Sequence, residues 1–342
     1  LMDREGIRAV SLPVGGVEQI RVGKKYTHND ICFPAQIVIG EALAALKSGK
    51  YDGKEVAIAT GKYIGDCRLT HYSALLRKAL DDAGFSDVPI LTNDDADFHN
   101  LHPGFRLNLL SALRIAYALP MIDILEELLR KIRPYELTKG SADAAFEQAM
   151  DAVIDGLSRH GVNGAKHGFE IIEARMSDVI QKSYFYRDMQ VREYHLHKPL
   201  QEKLWYRMAD LFFDLAHDAA DKIASAHPLY DRPAVRLPEL VKESDPIIHH
   251  TFDAGEGVLI PGEILHHAAH GCRAFVILQP FGCLPNHVVG RGISKRLKEL
   301  YPDIQILPLD YDPDVSFANI ENRLQMLIMN AREQEAEKDK TK

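Results

Sequence analysis

The spacing of apolar residues changes character twice along this chain. From Pro34 to Gly49 (PAQIVIGEALAALKSG) apolar positions follow a helical period, with Pro34 suited to a first turn and Gly49 to a stop. Lys54–Thr60 (KEVAIAT) is a short apolar run of strand character. It leads into the loop Gly61–Thr70, an amphipathic helix over His71–Ala83 and a second strand over Val88–Thr92. Strand, loop, helix, strand in this order predicts a βαβ unit with a parallel pair.

Residues 105–230 have a different pattern. Apolar residues near a 3.6 period predict helices at roughly 105–132, 142–160, 163–182 and 198–226, with Pro120 and Pro134 interrupting or ending the first. Residues 228–250 contain proline and read as an irregular return connection. The last third repeats the first architecture. It has a helix over 257–270, a buried strand over Arg273–Gln279, a helix over Val288–Leu300, a strand over Ile304–Leu309 and a closing helix over 315–335.

The expected fold is therefore α/β, with two Rossmann-like or flavodoxin-like lobes of parallel sheet and a helical middle segment. Residues 1–104 form one lobe, 105–250 a mainly helical insertion or lid and 251–335 the second lobe. The Lys/Glu-rich residues 336–342 form a disordered tail.

The chain has 342 residues, enough for two domains, and 46% hydrophobic with 26% charged residues is an ordinary globular composition. A formal charge of -8 argues against nucleic acid and anionic membrane as partners. No apolar run approaches the ~20 residues of a membrane span, and the N-terminus lacks a signal-peptide pattern. The four cysteines are too widely spaced for a disulfide scaffold, so a reducing cytoplasm is expected. The Leu-Met start suggests an expression scar or a fragment of a longer polypeptide.

Three cysteines occupy Pro/Gly-marked loops that open helices: Ile31-Cys32-Phe33-Pro34-Ala35, Gly65-Asp66-Cys67-Arg68 and Phe281-Gly282-Cys283-Leu284-Pro285-Asn286-His287. The second and third follow strands, where ligands of open α/β sheets bind. A helix N-terminus is expected to lower a thiol's pKa and favour the thiolate that a metal requires. Three sulfurs from remote loops leave one metal position without a protein sulfur. An iron–sulfur cluster with an open or externally held iron suits that count better than a closed four-ligand zinc site. Three unrelated buried thiols are the remaining reading.

Cys272, before a strand, reads as a boundary cysteine, with a role as an extra ligand as the lesser alternative. His266 and His270 have i, i+4 metal spacing but lack the accompanying acidic pattern, so they weigh little. His287 is placed to bond a cluster or substrate, or equally to cap a helix. Arg68 and Arg291 suit an anion or a surface ion pair. Gly290 and Gly292 fall inside a predicted helix, so they make no dinucleotide fingerprint. No P-loop, serine nucleophile elbow or kinase set is present, and Leu309–Asp314 reads as a turn.

The loops around Cys32 and Cys67, the following His71-Tyr72, and Gln279-Pro280-Phe281-Gly282-Cys283-Leu284-Pro285-Asn286-His287 with Gly290-Arg291-Gly292 are similar to a known pattern. Over about residues 25–330 they resemble the 2-hydroxyacyl-CoA dehydratase D-component superfamily. The nearest likeness is to its large activase-related and double-cubane cluster proteins. The resemblance implies an oxygen-sensitive cluster on Cys32, Cys67 and Cys283, either 4Fe–4S or double-cubane 8Fe–9S. His287, Arg68 and Asn286 would surround it. It also implies a partner, an ATP-dependent activator with its own cluster, present as a separate chain or as missing N-terminal modules. This chain has no activator motifs itself. An acyl-CoA substrate and a dimer are expected on the same ground.

The expected function is thus an iron–sulfur protein that accepts low-potential electrons in a dehydratase-like (lyase) or small-molecule reductase system. The alternatives are a non-catalytic electron relay or docking module, and a zinc-stabilised structural protein.

Overall fold

The computed structural model describes residues 8–12, 15–51, 55–61, 65–92, 109–160, 176–227, 230, 235–312, 314 and 316–340. The chain divides into two compact units, one comprising Leu1–Ala9 with Pro103–Glu239 and the other Val10–His102 with Leu240–Lys342. The described residues are mostly helical, with two small parallel two-stranded sheets.

The unit formed by Pro103–Glu239 is helical: α4 (Leu109–Ile132), α5 (Ser141–His160), α6 (Met176–Glu193) and α7 (Leu200–Ala224), and the short α8 (Leu237–Glu243) spans the sequence boundary between the units. Met121, Ile124, Leu125 and Leu128 of α4 repeat at three- and four-residue spacing, so they share one face. That face packs with Ala142, Ala149 and Val153 of α5 and with Ala220 and Ala224 of α7. Pro120 lies inside α4 without ending it, contrary to the interruption expected there. Burial of the Met121–Leu128 face directly after Pro120, with Ala118 packed before it, compensates for the lost N–H. The helix expected over 163–182 begins at Met176 among the described residues; 163–175 lie outside them, as do 105–108. The connection at 228–250 is not wholly irregular, since α8 lies within it.

The other unit carries α1 (Val17–Tyr26), α2 (Phe33–Lys47), β1 (Ile58–Ala59), a 3₁₀ turn (Arg68–His71), α3 (Tyr72–Asp82) and β2 (Ile90–Leu91). After the helical unit, the chain returns to it with α9 (Leu259–Ala269), β3 (Ala274–Pro280), a π-helical turn (Pro285–Gly290), α10 (Ser294–Leu300), β4 (Gln305–Tyr311) and α11 (Phe317–Lys340). Strands β1 and β2 pair in parallel, Ile58 with Ile90 and Ala59 with Leu91. Strands β3 and β4 pair in parallel from Ala274–Gln305 to Pro280–Tyr311. Ile39, Leu43 and Leu46 of α2 meet Leu76, Ala79 and Leu80 of α3 in one core. A second core joins Ile264, Leu265 and Ala268 of α9 with Ile277, Val289, Ile293 and Leu297.

Four expectations change here. The first sheet is shorter than the runs 54–60 and 88–92, with two residues in each strand. Strand β3 is not buried on both faces: Ile277 and Gln279 point inward while Val276 and Leu278 are exposed, the alternation of a one-sided sheet. The helix expected over Val288–Leu300 is divided, because Pro285 starts a separate π turn and Gly290 and Gly292 weaken the stretch before Ser294. The tail expected to be disordered from 336 is helical to Lys340, since its Glu, Lys and Ala residues are strong helix formers. Residues 341–342 lie outside the described part.

Helix α1 is not foreseen by the apolar pattern. It approaches α2 so closely that a Cβ on Gly23 would sit 1.9 Å from the Gln36 carbonyl oxygen, and one on Gly40 1.9 Å from that of Gln19. No described helix is long and apolar enough to cross a membrane.

Candidate metal centre

The three cysteine loops lie in one compact unit although Cys283 is 251 residues after Cys32 (283 − 32). Backbone contacts bring them together. Phe33 N–H donates to the Phe281 carbonyl at 2.8 Å, tying the Cys32 loop to the Cys283 loop. Asp66 N–H donates to Asp253 O at 3.2 Å, tying the Cys67 loop to the segment before α9.

Two glycines make the approach possible. Gly282 has φ +67, and a Cβ there would lie 3.1 Å from Cys32 Cα and 3.4 Å from Arg68 Nη1. Gly255, at φ +53, faces Pro285 Cγ at 3.1 Å and Cys67 Sγ at 3.6 Å. Both positions need left-handed backbone, and a Cβ there would be crowded by these neighbours.

Cys32 is buried at 3% exposure and caps the N-terminus of α2. Its sulfur lies 2.9 Å from the Tyr72 hydroxyl at the start of α3. Cys67, half-buried, caps the 3₁₀ turn. Cys283, half-buried, precedes the π turn, and its carbonyl accepts from His287 N–H at 2.8 Å. The Asn286 amide donates to Cys283 Sγ at 3.3 Å and to Glu256 Oε1 at 2.5 Å.

Two of the thiols are shifted by their surroundings. Burial pushes the Cys67 thiol up, against a Leu69 backbone bond, and negative charge on Glu256, Cys283 and Cys32 pushes it further. Burial likewise raises Cys283, against hydrogen bonds from Asn286, with Glu256 and Cys32 adding to the rise. The Tyr72 phenol is driven far up by burial, by its bond to Cys32 and by the charges of Cys32, Cys67 and Cys283. Helix N-termini were expected to lower these pKa values. Burial and mutual repulsion outweigh them at Cys67 and Cys283. Such a set favours thiolates only when a cation neutralises them, which is the condition a metal or cluster meets.

The donor set suits a sulfur-rich group. Among the described residues, no three His, Cys, Asp or Glu side chains close on a position for one metal ion. A multi-iron core takes each thiolate on a different iron, so its ligands do not share one point. Glu256, between Gly255 and Gly257, was missed by sequence reasoning; no motif marks it, and only its place against Cys67 and Cys283 reveals it.

The remaining candidates divide. Asn286 stands at the Cys283 sulfur, whereas Arg68 donates to Asp30 O at 3.1 Å and lies beside Gly282. His287 turns instead toward Asp310, 3.8 Å from Nε2, and Arg291 reaches the same carboxylate at 3.4 Å. Cys272 is exposed at the opposite end of β3 from Cys283, roughly 20 Å of strand away at ~3.3 Å per residue. The His266 and His270 ring centres lie 4.3 Å apart at a tilt of 37°, with His266 Nδ1 on Glu243 and His270 Nδ1 on a backbone oxygen.

Comparison with family models, curated proteins and solved structures finds no match for this chain.

Proposed function

We propose that this chain holds an iron–sulfur cluster on Cys32, Cys67 and Cys283 and accepts low-potential electrons from an ATP-dependent activator. It would serve in a 2-hydroxyacyl-CoA dehydratase-like or small-molecule reductase system. The observation that carries the reading is the gathering of three cysteine loops by backbone bonds between remote segments and by the close approaches at Gly282 and Gly255. The likeness of these loops to the dehydratase superfamily supports it. A Rossmann-like, two-lobed architecture and a cytoplasmic location belong to the same proposal.

Bound there, the cluster would supply one-electron chemistry at low potential. The chain's own residues have separate tasks. Tyr72, held protonated, would donate to a cluster-bound Cys32 sulfur. Asn286 donates to the Cys283 sulfur and holds Glu256. Burial of Cys32 and the half-burial of the other two limit water at the sulfurs.

The test is anaerobic purification with iron, sulfide and zinc analysis and a visible spectrum. A brown protein with iron and sulfide, both lost in Cys283→Ala and kept in Cys272→Ser, is expected. A colourless anaerobic preparation, or zinc in place of iron, would overturn the proposal. Turnover of an acyl-CoA by the reduced protein separates an enzyme from an electron relay.

A further inference from the structure

Helix α7 (Leu200–Ala224) has two apolar faces. One, carrying Phe213, Ala216, Ala220 and Ala224, is buried within its own unit. The other carries Leu200, Leu204, Met208, Leu211 and Leu215, which are 71, 48, 63, 58 and 51% exposed. Single exposed leucines are ordinary. These five recur at four, four, three and four residues, so at ~100° per residue they form one narrow stripe. The stripe is centred about 170° from the buried face on the same helical wheel, so it cannot belong to the core that the helix already serves. It runs for about 22 Å at ~1.5 Å per residue. Several hundred Å² of contiguous apolar surface on a folded unit marks an interface.

The flanks of the stripe say what covers it. On one side lie Arg207 and Asp214, and on the other Trp205 and Phe212. Arg207 is 60% exposed in its side chain, with Nε on Asp188 at 3.0 Å. Asp214 accepts from Gln181 at 2.9 Å. Lay a second α7 antiparallel on the first, about a two-fold axis between Met208 and Leu211. Leu204 then meets Leu215 of the second copy, and Met208 meets its Leu211. On one flank Arg207 faces Asp214 of the second copy, twice by symmetry, and on the other Trp205 faces Phe212. The surface is self-complementary in shape class and in charge, the requirement of a two-fold interface. A pairing of this size approaches the roughly 1,000 Å² expected of a specific contact.

We propose that α7 is the homodimer interface of this chain, formed by antiparallel pairing with α7 of a second copy. The proposal is independent of the metal centre.

The experiment uses the full chain in sedimentation and light scattering at micromolar concentration. The mass expected is twice 38.4 kDa. Leu204→Glu with Leu211→Glu should give the monomer with an unchanged far-ultraviolet spectrum. Arg207→Asp should weaken the dimer several-fold, and adding Asp214→Arg should restore it. Disulfide trapping in a Cys272→Ser background fixes the direction without a disruptive substitution. Copies bearing Leu204→Cys should link to copies bearing Leu215→Cys and not to themselves, since two residues 204 would stand about 16 Å apart along the pair at ~1.5 Å per residue. A monomeric wild-type chain, a dimer that survives the double glutamate substitution, or self-linked Leu204→Cys copies would each overturn the proposal.

Discussion

The Tyr72 hydroxyl lies 2.9 Å from the Cys32 sulfur, in a pocket where the phenol cannot readily ionise. Burial, the sulfur itself and the other two cysteine positions all oppose a negative tyrosine, so the phenol would be the donor once Cys32 is held as a cluster ligand. Hydrogen bonds to cluster sulfurs raise reduction potentials. Tyr72→Phe should therefore shift the midpoint potential of the reconstituted protein to more negative values while iron content holds. A redox titration followed by visible absorbance checks this. The metal-free variant should also lose about 1 kcal/mol of stability, the ordinary scale of one hydrogen bond.

The close approach at Gly282 makes a sharper prediction. Gly282→Ala must both adopt φ +67 and push a methyl against the Cys32 backbone at 3.1 Å. Gly49→Ala, at φ +70 with nothing within 4 Å, carries the conformational cost alone. Denaturant melts should show a loss of about 1 kcal/mol for the Gly49 change and roughly 2–4 kcal/mol for Gly282→Ala. Iron retention should fall only in the latter. Equal losses in both would remove the packing argument.

A core substitution measures the frame beneath the site. Leu76 is fully buried between α2 and α3, whose first turns carry Phe33 and Tyr72. Leu76→Ala should cost ~2–5 kcal/mol in chemical denaturation.

The helical unit offers a pH prediction. Glu136 accepts from the backbone N–H groups of Gly140 at 2.9 Å and Ala142 at 3.0 Å, at the start of α5. Those bonds, Gly140 first, hold its carboxyl below the usual glutamate range. A lowered folded pKa gives stability that is present above the ordinary glutamate pKa and lost as pH falls through the folded value. Wild type should melt above Glu136→Gln at neutral pH, and the gap should close on acidification below pH ~4. A gap that stays constant with pH would show that the charge is not what matters.

Much of this was legible in the residues. Pro34 before an apolar helical period located α2, and the order of apolar runs located both parallel pairs. Three Gly/Pro-marked loops singled out Cys32, Cys67 and Cys283, and the fold carries all three in one compact unit. What the sequence concealed depends on through-space contact. Helix α1 is held by close backbone approach to α2 at Gly23 of α1 and Gly40 of α2, which no local period reports. Glu256 acquires meaning only beside Cys67 and Cys283. The direction of the cysteine pKa shifts was misread because a helix N-terminus is visible in a sequence, whereas burial is not. His287 looked like a companion of the sulfurs by spacing, yet the π turn aims it at Asp310.

The main-chain links from Phe33 to Phe281 and from Asp66 to Asp253 involve no thiol at all. If the proposed cluster binds there, its site would be assembled before the cluster arrives. Loading it should resemble filling a rigid mould rather than folding a zinc finger, and emptying it should leave the architecture standing.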